Sequence, residues 1–415
     1  MKQEMKRLTV AVLCVLLVFA LAQTVFAAGA KQKEDNPSEV KIGFMSSLTG
    51  NFAAVAETQR RAFIYGVEKV NNEGGLKMPW GRVKLVPVTA DDEAKLDIGN
   101  QRFRDMVNQG VFGVSGGVWN PLSAALNEEV KVSPVVYVTG YVPAIDVFKK
   151  GQPADSTFSA SFTPWTLGYL NGQTIIQELG KKRIYFLARN DSWGETILEG
   201  LQAAVKDFGG EIVGTDGVNL GTTDYSSVIN KVKASNAEVF LFCQFGGDAI
   251  ACAKQSYDMG LNSQVLLYNC FITNVVAGGL PREALDGLYG LAYFYWDSQN
   301  PKVKEFSDGY FKRWNEPPDA YGGCTYVALE ITLRGAELAG SLDPKKISEV
   351  LMSKSVDTMK GSIRFRQDHQ PIIEEASFFV RGKGAAAAKG QFDYFDVLKT
   401  YGGEGILPSL SYLGY

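Results

Sequence analysis

From Val40 onward the chain alternates short apolar runs with stretches in which apolar residues recur every three to four positions. Val40–Leu48, Val83–Asp92, Val111–Gly117 and Pro134–Gly140 have the length and apolar content of buried strands. The segments between them, Ala56–Gly75, Leu96–Gly110 and Pro121–Ser133, have the period of amphipathic helices, the first closed by glycine. After Thr157–Trp165 the same grammar restarts. Strands are expected at Arg183–Arg189, Glu211–Val218, Glu238–Phe245 and Gln264–Cys270, separated by helices such as Gly194–Gly210 and Gly247–Gly260. Then come Leu288–Trp296, helices over Pro301–Trp314, Tyr321–Gly340 and Pro344–Lys354, and paired strand candidates Gly361–Gln367 and Glu374–Gly382. Strands alternating with helices predict a parallel sheet wrapped by helices. The repetition predicts an α/β chain of two similar, doubly wound lobes. The low-complexity Gly382–Gln391 reads as a surface turn.

The first thirty residues have a different character. Lys2, Lys6 and Arg7 precede an apolar run from Leu8 to Phe26, followed by Ala27, Ala28 and Ala30. This is the order of a secretory signal peptide, expected over residues 1–27. The run also approaches the roughly 20 residues that span a bilayer; the small residues at its end favour cleavage over anchoring. Cys14 lies inside the run and not behind a lipoprotein-type triplet, so no lipid anchor is expected. The mature chain, about 388 residues, should be exported without membrane insertion, and is long enough for two domains at ~150 residues each.

With 42 basic and 45 acidic residues and a net charge of −3, the chain carries no electrostatic footprint for nucleic acid or an anionic membrane. Cys243, Cys252, Cys270 and Cys324 remain after the signal; an export compartment permits a disulfide, and Cys243 with Cys270 is the pair to consider, but buried free thiols are preferred. His369, the single histidine, lies between two strand candidates in an expected surface turn and cannot alone build a metal site or a triad. Neither a nucleophile elbow nor a phosphate-binding P-loop is present, and Val118-Trp119 would crowd a pyrophosphate at the Gly116-Gly117 turn. Asp91-Asp92 read as solvated turn acids, with a catalytic pair as the rival reading. No cofactor is expected.

In an open parallel sheet a ligand sits beyond the carboxyl ends of the strands. The first terminus offers Ser46, Ser47, Thr49 and Phe52, the third Trp119 and Asn120, the fourth Thr139 and Tyr141. In the second half Arg189–Glu195 brings Trp193, Cys243–Asp248 brings Phe245 and Asp248, and Asn269–Asn274 brings Phe271. Any one ring is as readily core. Their repeated placement beside Gly, Ser, Asn and Asp predicts a mostly apolar cleft with a few oriented polar groups. Trp119 would be a wall of it. Gly116 and Gly117 would let backbone approach a ligand, and the helix start at Pro121-Leu122 would offer N–H groups to a carboxylate. Asn120, Ser123 and Thr139 would add neutral donors.

The expected signal peptide, Val40–Ala53, Val67–Leu76, Val83–Ala94, Pro134–Gly140, Asn190–Thr196, Asp224–Phe242 and Asp258–Leu261 together resemble the leucine/isoleucine/valine-type periplasmic solute-binding proteins of ABC transporters, in order and over nearly all of the chain after residue 38. The resemblance implies a type I periplasmic-binding fold, with two lobes joined by three crossovers near Phe158–Phe162, Tyr293–Asp297 and Asp368–Ile373. Residues 38–160 with 298–370 would form the N-terminal lobe, and 161–297 with 371–415 the C-terminal lobe. It implies a monomeric, non-enzymatic binding protein in the periplasm, with a small-molecule ligand and an inner-membrane ABC permease as partners. Its carboxylate-holding groups fall around Trp119–Leu122 and Thr139–Pro143, and its aromatic walls match Trp193, Phe245 and Tyr321. One position departs: where amino-acid binders of the family place an acid for the ligand's ammonium, this chain has Cys270-Phe271. A buried ammonium without a carboxylate is costly. The expected ligand is therefore a hydrophobic or aromatic carboxylate, unless Asp248 substitutes from the next loop, in which case branched-chain or aromatic amino acids are the alternative. A ligand-sensing module for a signalling partner shares the fold and is the alternative, disfavoured by a signal peptide with no later run of membrane-spanning length.

Overall fold

Two parallel sheets built in the same strand order organise the chain. The computed structural model describes residues 36–415; the expected signal peptide, residues 1–27, lies outside them. In the first sheet, β1 (Glu39–Ser46), β2 (Leu76–Met78), β3 (Gly81–Asp91), β4 (Val111–Gly116), β5 (Val136–Thr139) and β6 (Thr157–Ser159) run in the order β2-β3-β1-β4-β5-β6, with only the β2 edge antiparallel. The second sheet repeats the parallel core: β7 (Arg183–Arg189), β8 (Glu211–Val218), β9 (Val239–Phe242), β10 (Leu266–Asn269) and β11 (Tyr289–Ala292) lie in the order β8-β7-β9-β10-β11. Beyond them a small antiparallel sheet holds β12 (Val356–Thr358), β13 (Gly361–Phe365) and β14 (Pro371–Ile372). Antiparallel strands β15 (Ser377–Gly382) and β16 (Phe395–Tyr401) then extend the second sheet past β11. The doubly wound, two-lobed α/β architecture expected from the pattern is thus present.

Strands β4, β5 and β9 are buried along their whole length, which is why they read as continuous apolar runs: both faces are covered by helices. The helix Ala320–Ala339 returns late in the chain to pack against the helix Ala53–Asn72 and against β4 and β5. The chain passes between the sheets three times, after β6, after β11 and after β14, and the crossing segments hold one another. Tyr293 donates its hydroxyl to Ala160 O at 2.5 Å, the Lys360 ammonium donates to Tyr293 O at 2.5 Å, and His369 Nδ1 lies 2.8 Å from Thr157 O.

Several elements differ from expectation. The helix Pro164–Gln173, which runs into a π-turn over Thr174–Glu178, has no polar face to mark a period, because nearly all of it is buried against the helix Ser192–Phe208. Edge strand β16 was not foreseen because five of its seven residues are exposed. His369 does sit in a turn, but its ring is half-buried and stacks on Phe158 at 4.9 Å; that burial lowers its pKa. Asp92 is not a solvated acid: it is fully buried and accepts from Ser47 Oγ at 2.5 Å and from Ala94 N, while Asp91 accepts from Leu48 N and Thr49 Oγ1. The pair shapes the loop after β1. All four cysteines are buried free thiols.

Two close approaches generate predictions. A Cβ at Gly168 would lie 2.0 Å from Ile197 O, and one at Gly200 2.0 Å from Trp165 O, so these two helices meet backbone to backbone. Gly200→Ala should destabilise the protein by about 1–3 kcal/mol through overpacking, read as a lower urea midpoint. The second concerns Asp319, buried at the start of the helix Ala320–Ala339. Its carboxylate accepts from Tyr321 N at 3.0 Å and, across to the second lobe, from Val275 N at 3.2 Å. Burial, opposed by these N–H groups, pushes its pKa from the usual 3.8 up to about 6. The folded protein therefore binds this proton more tightly than the unfolded chain. The associated stability is complete below pH ~4 and is lost as pH rises through ~6, by about 3 kcal/mol in all. Urea unfolding of wild type and Asp319→Asn across pH 4–7 should show that difference shrinking as the pH is raised; a constant offset would rule the assignment out.

Candidate functional site

The common strand order puts a topological switch point between β1 and β4 in one sheet and between β7 and β9 in the other, and in such folds ligands bind beyond the carboxyl ends there. The chain delivers aromatic side chains to these places, and they meet across the lobes. Phe52, from the loop after β1, stacks on Phe245, from the turn after β9, at 5.4 Å and 12°. Trp193 meets Phe245 edge-on at 5.9 Å. Beside them Tyr141, after β5, contacts Tyr321 at 4.2 Å and Phe271, after β10, at 4.9 Å; Phe271 and Tyr321 are 5.9 Å apart. All six rings are buried. This is the arrangement of a closed interface in which apolar walls from both sides touch.

Local chemistry fixes each wall. Asp191 caps the helix Ser192–Phe208 by accepting from Trp193 N and Gly194 N, and Trp193 Nε1 donates to Cys243 O at 2.8 Å. Phe52 follows the loop that Asp91 and Asp92 hold. Asp319 caps the helix that carries Tyr321.

Of the ten side chains picked out from the sequence, Phe52, Tyr141, Trp193, Phe245, Phe271 and Tyr321 are thus brought together. Trp119 is half-buried on the core of the first sheet and forms none of the ring pairs just described. The expected neutral donors are already engaged within the protein. Asn120 Nδ2 donates to Val142 O at 2.7 Å, Ser123 Oγ donates to Asn120 O at 2.7 Å while accepting from Ala144 N, and Thr139 Oγ1 donates to Ser159 Oγ at 3.0 Å. These residues stitch the ends of β4, β5 and β6 to one another. Gly116 likewise serves the protein's own backbone: its φ is +118°, and a Cβ there would lie 2.2 Å from Met45 O. Asp248 is half-buried, and its Oδ2 accepts from Gly221 N at 2.8 Å; burial raises its pKa.

One residue was passed over in the sequence although it closes the strand run Arg183–Arg189. Arg189 is only 3% exposed. Its Nε donates to Asp191 Oδ2 at 2.6 Å, and its guanidinium lies 4.8 Å from the centre of the Phe245 ring and 5.6 Å from that of Trp193. Its Nη1 is buried without a hydrogen-bond partner. A basic residue ending an otherwise apolar strand was the available signal.

Against known proteins, residues 39–389 match the model of a family described as periplasmic binding protein. The "Leucine-, isoleucine-, valine-, threonine-, and alanine-binding protein" of Pseudomonas aeruginosa is 23% identical over 330 residues, covering 79% of this chain and 85% of its own. Among solved structures, an amino acid ABC transporter substrate-binding protein from Pseudomonas fluorescens Pf-5 superposes with a TM-score of 0.82 at 20% identity, over 91% of this chain and 98% of that one. An R. palustris ABC-transporter solute-binding protein in complex with benzoate gives 0.74 at 17%, over 88% and 99%. With the match spanning both lobes and the interface between them, the chain belongs to the periplasmic binding protein family, whose members bind solutes and do not transform them.

Proposed function

We propose that this protein is the extracytoplasmic solute-binding subunit of an ABC importer, and that its lobes close on a small hydrophobic or aromatic carboxylate for delivery to an inner-membrane permease. The observation that carries this reading is the meeting of Phe52, Tyr141 and Tyr321 with Trp193, Phe245 and Phe271 at the facing switch points. Flat apolar walls contributed by both lobes suit a flat or branched apolar body, and their contact depends on the lobes being closed. The charge of the ligand follows from what the walls lack. Cys270 and Phe271, both fully buried, occupy the loop where an ammonium would need an acid, and Asp248 already accepts a backbone N–H. The benzoate complex of a structurally similar protein is consistent with such a ligand.

Binding of branched-chain or aromatic amino acids is the second reading, favoured by the amino acids named for the Pseudomonas aeruginosa relative. Calorimetric titration with matched pairs separates the two. Phenylacetate and isovalerate should bind more tightly than phenylglycine and valine. The reverse order, abolished by Asp248→Asn, would overturn the carboxylate reading and assign the ammonium to Asp248.

The walls themselves are tested by truncation. Trp193→Ala and Phe245→Ala should each weaken binding of the best ligand from a thermal-shift screen by about 1–3 kcal/mol, the worth of burying a large apolar side chain. Unchanged affinity in both variants would move the site away from the switch points.

A further inference from the structure

We infer that Arg189 is the residue that receives the ligand's anionic group, through the guanidinium N–H groups that the protein itself leaves unpaired; this rests on the carboxylate reading above. The position is set by topology, since Arg189 is the last residue of β7, at the switch point of the second sheet. A cation 3% exposed requires partners, and a buried donor left unmade is costly. The protein supplies one. Asp191 Oδ2 takes Nε, while Asp191 Oδ1 is held by Trp193 N and Gly194 N at the start of the next helix, so this carboxylate cannot turn to serve Nη1 as well. The other nearby acid, Asp248, is bound to Gly221 N. Around the guanidinium stand the rings of Trp193 and Phe245, with Tyr321 and Cys270 close enough to feel its charge. Nη1 is therefore a fixed donor on a positive group, set among the walls proposed to hold the ligand. A carboxylate accepts from a planar guanidinium in its own plane, and Nη1 is the part of this one that Asp191 leaves free. The arrangement selects an acid over its uncharged isostere, a discrimination that Asn120, Ser123 and Thr139, engaged elsewhere, do not provide.

The test compares benzoate with benzamide, and isovalerate with isovaleramide, by calorimetry on the full mature chain. Wild type should prefer the acid of each pair by roughly 30-fold or more, and in Arg189→Gln the ratio of acid to amide affinity should fall to about one. A variant with the acid preference intact overturns the inference and leaves the carboxylate reading standing. Because Arg189→Gln leaves Asp191 without its partner, Arg189→Lys is measured beside it. It keeps the charge but loses the separate donors, and should lower acid binding about tenfold and narrow the acid-over-amide ratio; acid binding at the wild-type level in this variant also counts against Arg189. If wild type binds neither acid but does bind a neutral or zwitterionic solute, the carboxylate reading fails. If that solute is zwitterionic, equal binding by wild type and Arg189→Gln overturns the inference and loss in the variant upholds it; if it is neutral, the inference fails together with the reading.

Discussion

The stack of Phe52 on Phe245 is the contact around which the rest of the interface is arranged. Two rings 5.4 Å apart and nearly parallel require that the loop after β1 and the turn after β9 face each other at fixed distance. That follows from the sheets sharing one strand order, so that their switch points come to oppose one another. Everything else at the interface is subordinate to it. Trp193 packs edge-on against the same ring, Arg189 spreads over it, and the second group of rings, Tyr141, Phe271 and Tyr321, closes beside it. Such contacts are short-ranged and apolar, so they reward full closure and give almost nothing to a partly open interface.

The hinge is built from the opposite material. Tyr293, Lys360 and His369 bond to backbone carbonyls of neighbouring crossing segments, and Arg366 with Asp368 forms a buried ion pair next to them. Burial, opposed by the charge of Glu375, lowers the Lys360 pKa to about 7, and its amine donates to a carbonyl and lies over the faces of Tyr293 and Phe378. Directional bonds keep the three crossings in register, whereas the contacts between the rings lack direction. Polar crossings and apolar facing walls thus divide the join between the lobes into two kinds of contact.

How much of this was legible from sequence depended on what each residue is surrounded by. Strands such as Val111–Gly116 and Val239–Phe242 are covered on both faces, so burial wrote itself into an unbroken apolar run. The helix Pro164–Gln173 is buried all round and carries no period, and β16 is exposed and carries no apolar face; neither leaves a pattern to read. The meeting of six of the rings was legible because strand ends in this topology converge, while Trp119 stays on the core of the first sheet. The polar residues beside them were not. Asn120, Ser123 and Thr139 look like ligand donors in a linear reading, and only the three-dimensional neighbours Val142, Ala144 and Ser159 reveal that strand ends consume them. Arg189 failed in the other direction: a charge at the end of a strand is ordinarily solvated, and nothing in the sequence says that this one is enclosed by Trp193 and Phe245.

The late return of the helix Ala320–Ala339 to the helix Ala53–Asn72 has a consequence for how the chain must assemble. The first sheet, whose last strand ends at Ser159, cannot be roofed until the helix Ala320–Ala339 has followed, after all five parallel strands of the second sheet. Its apolar face is therefore uncovered during folding, while the second sheet's parallel core can be laid down from contiguous sequence and needs only β15 and β16 to extend its edge. Long-range closure of this kind is slow and leaves incomplete lobes prone to association. Connectivity thus leaves the first lobe, though earlier in the chain, without its covering helix until the parallel core of the second sheet has been made.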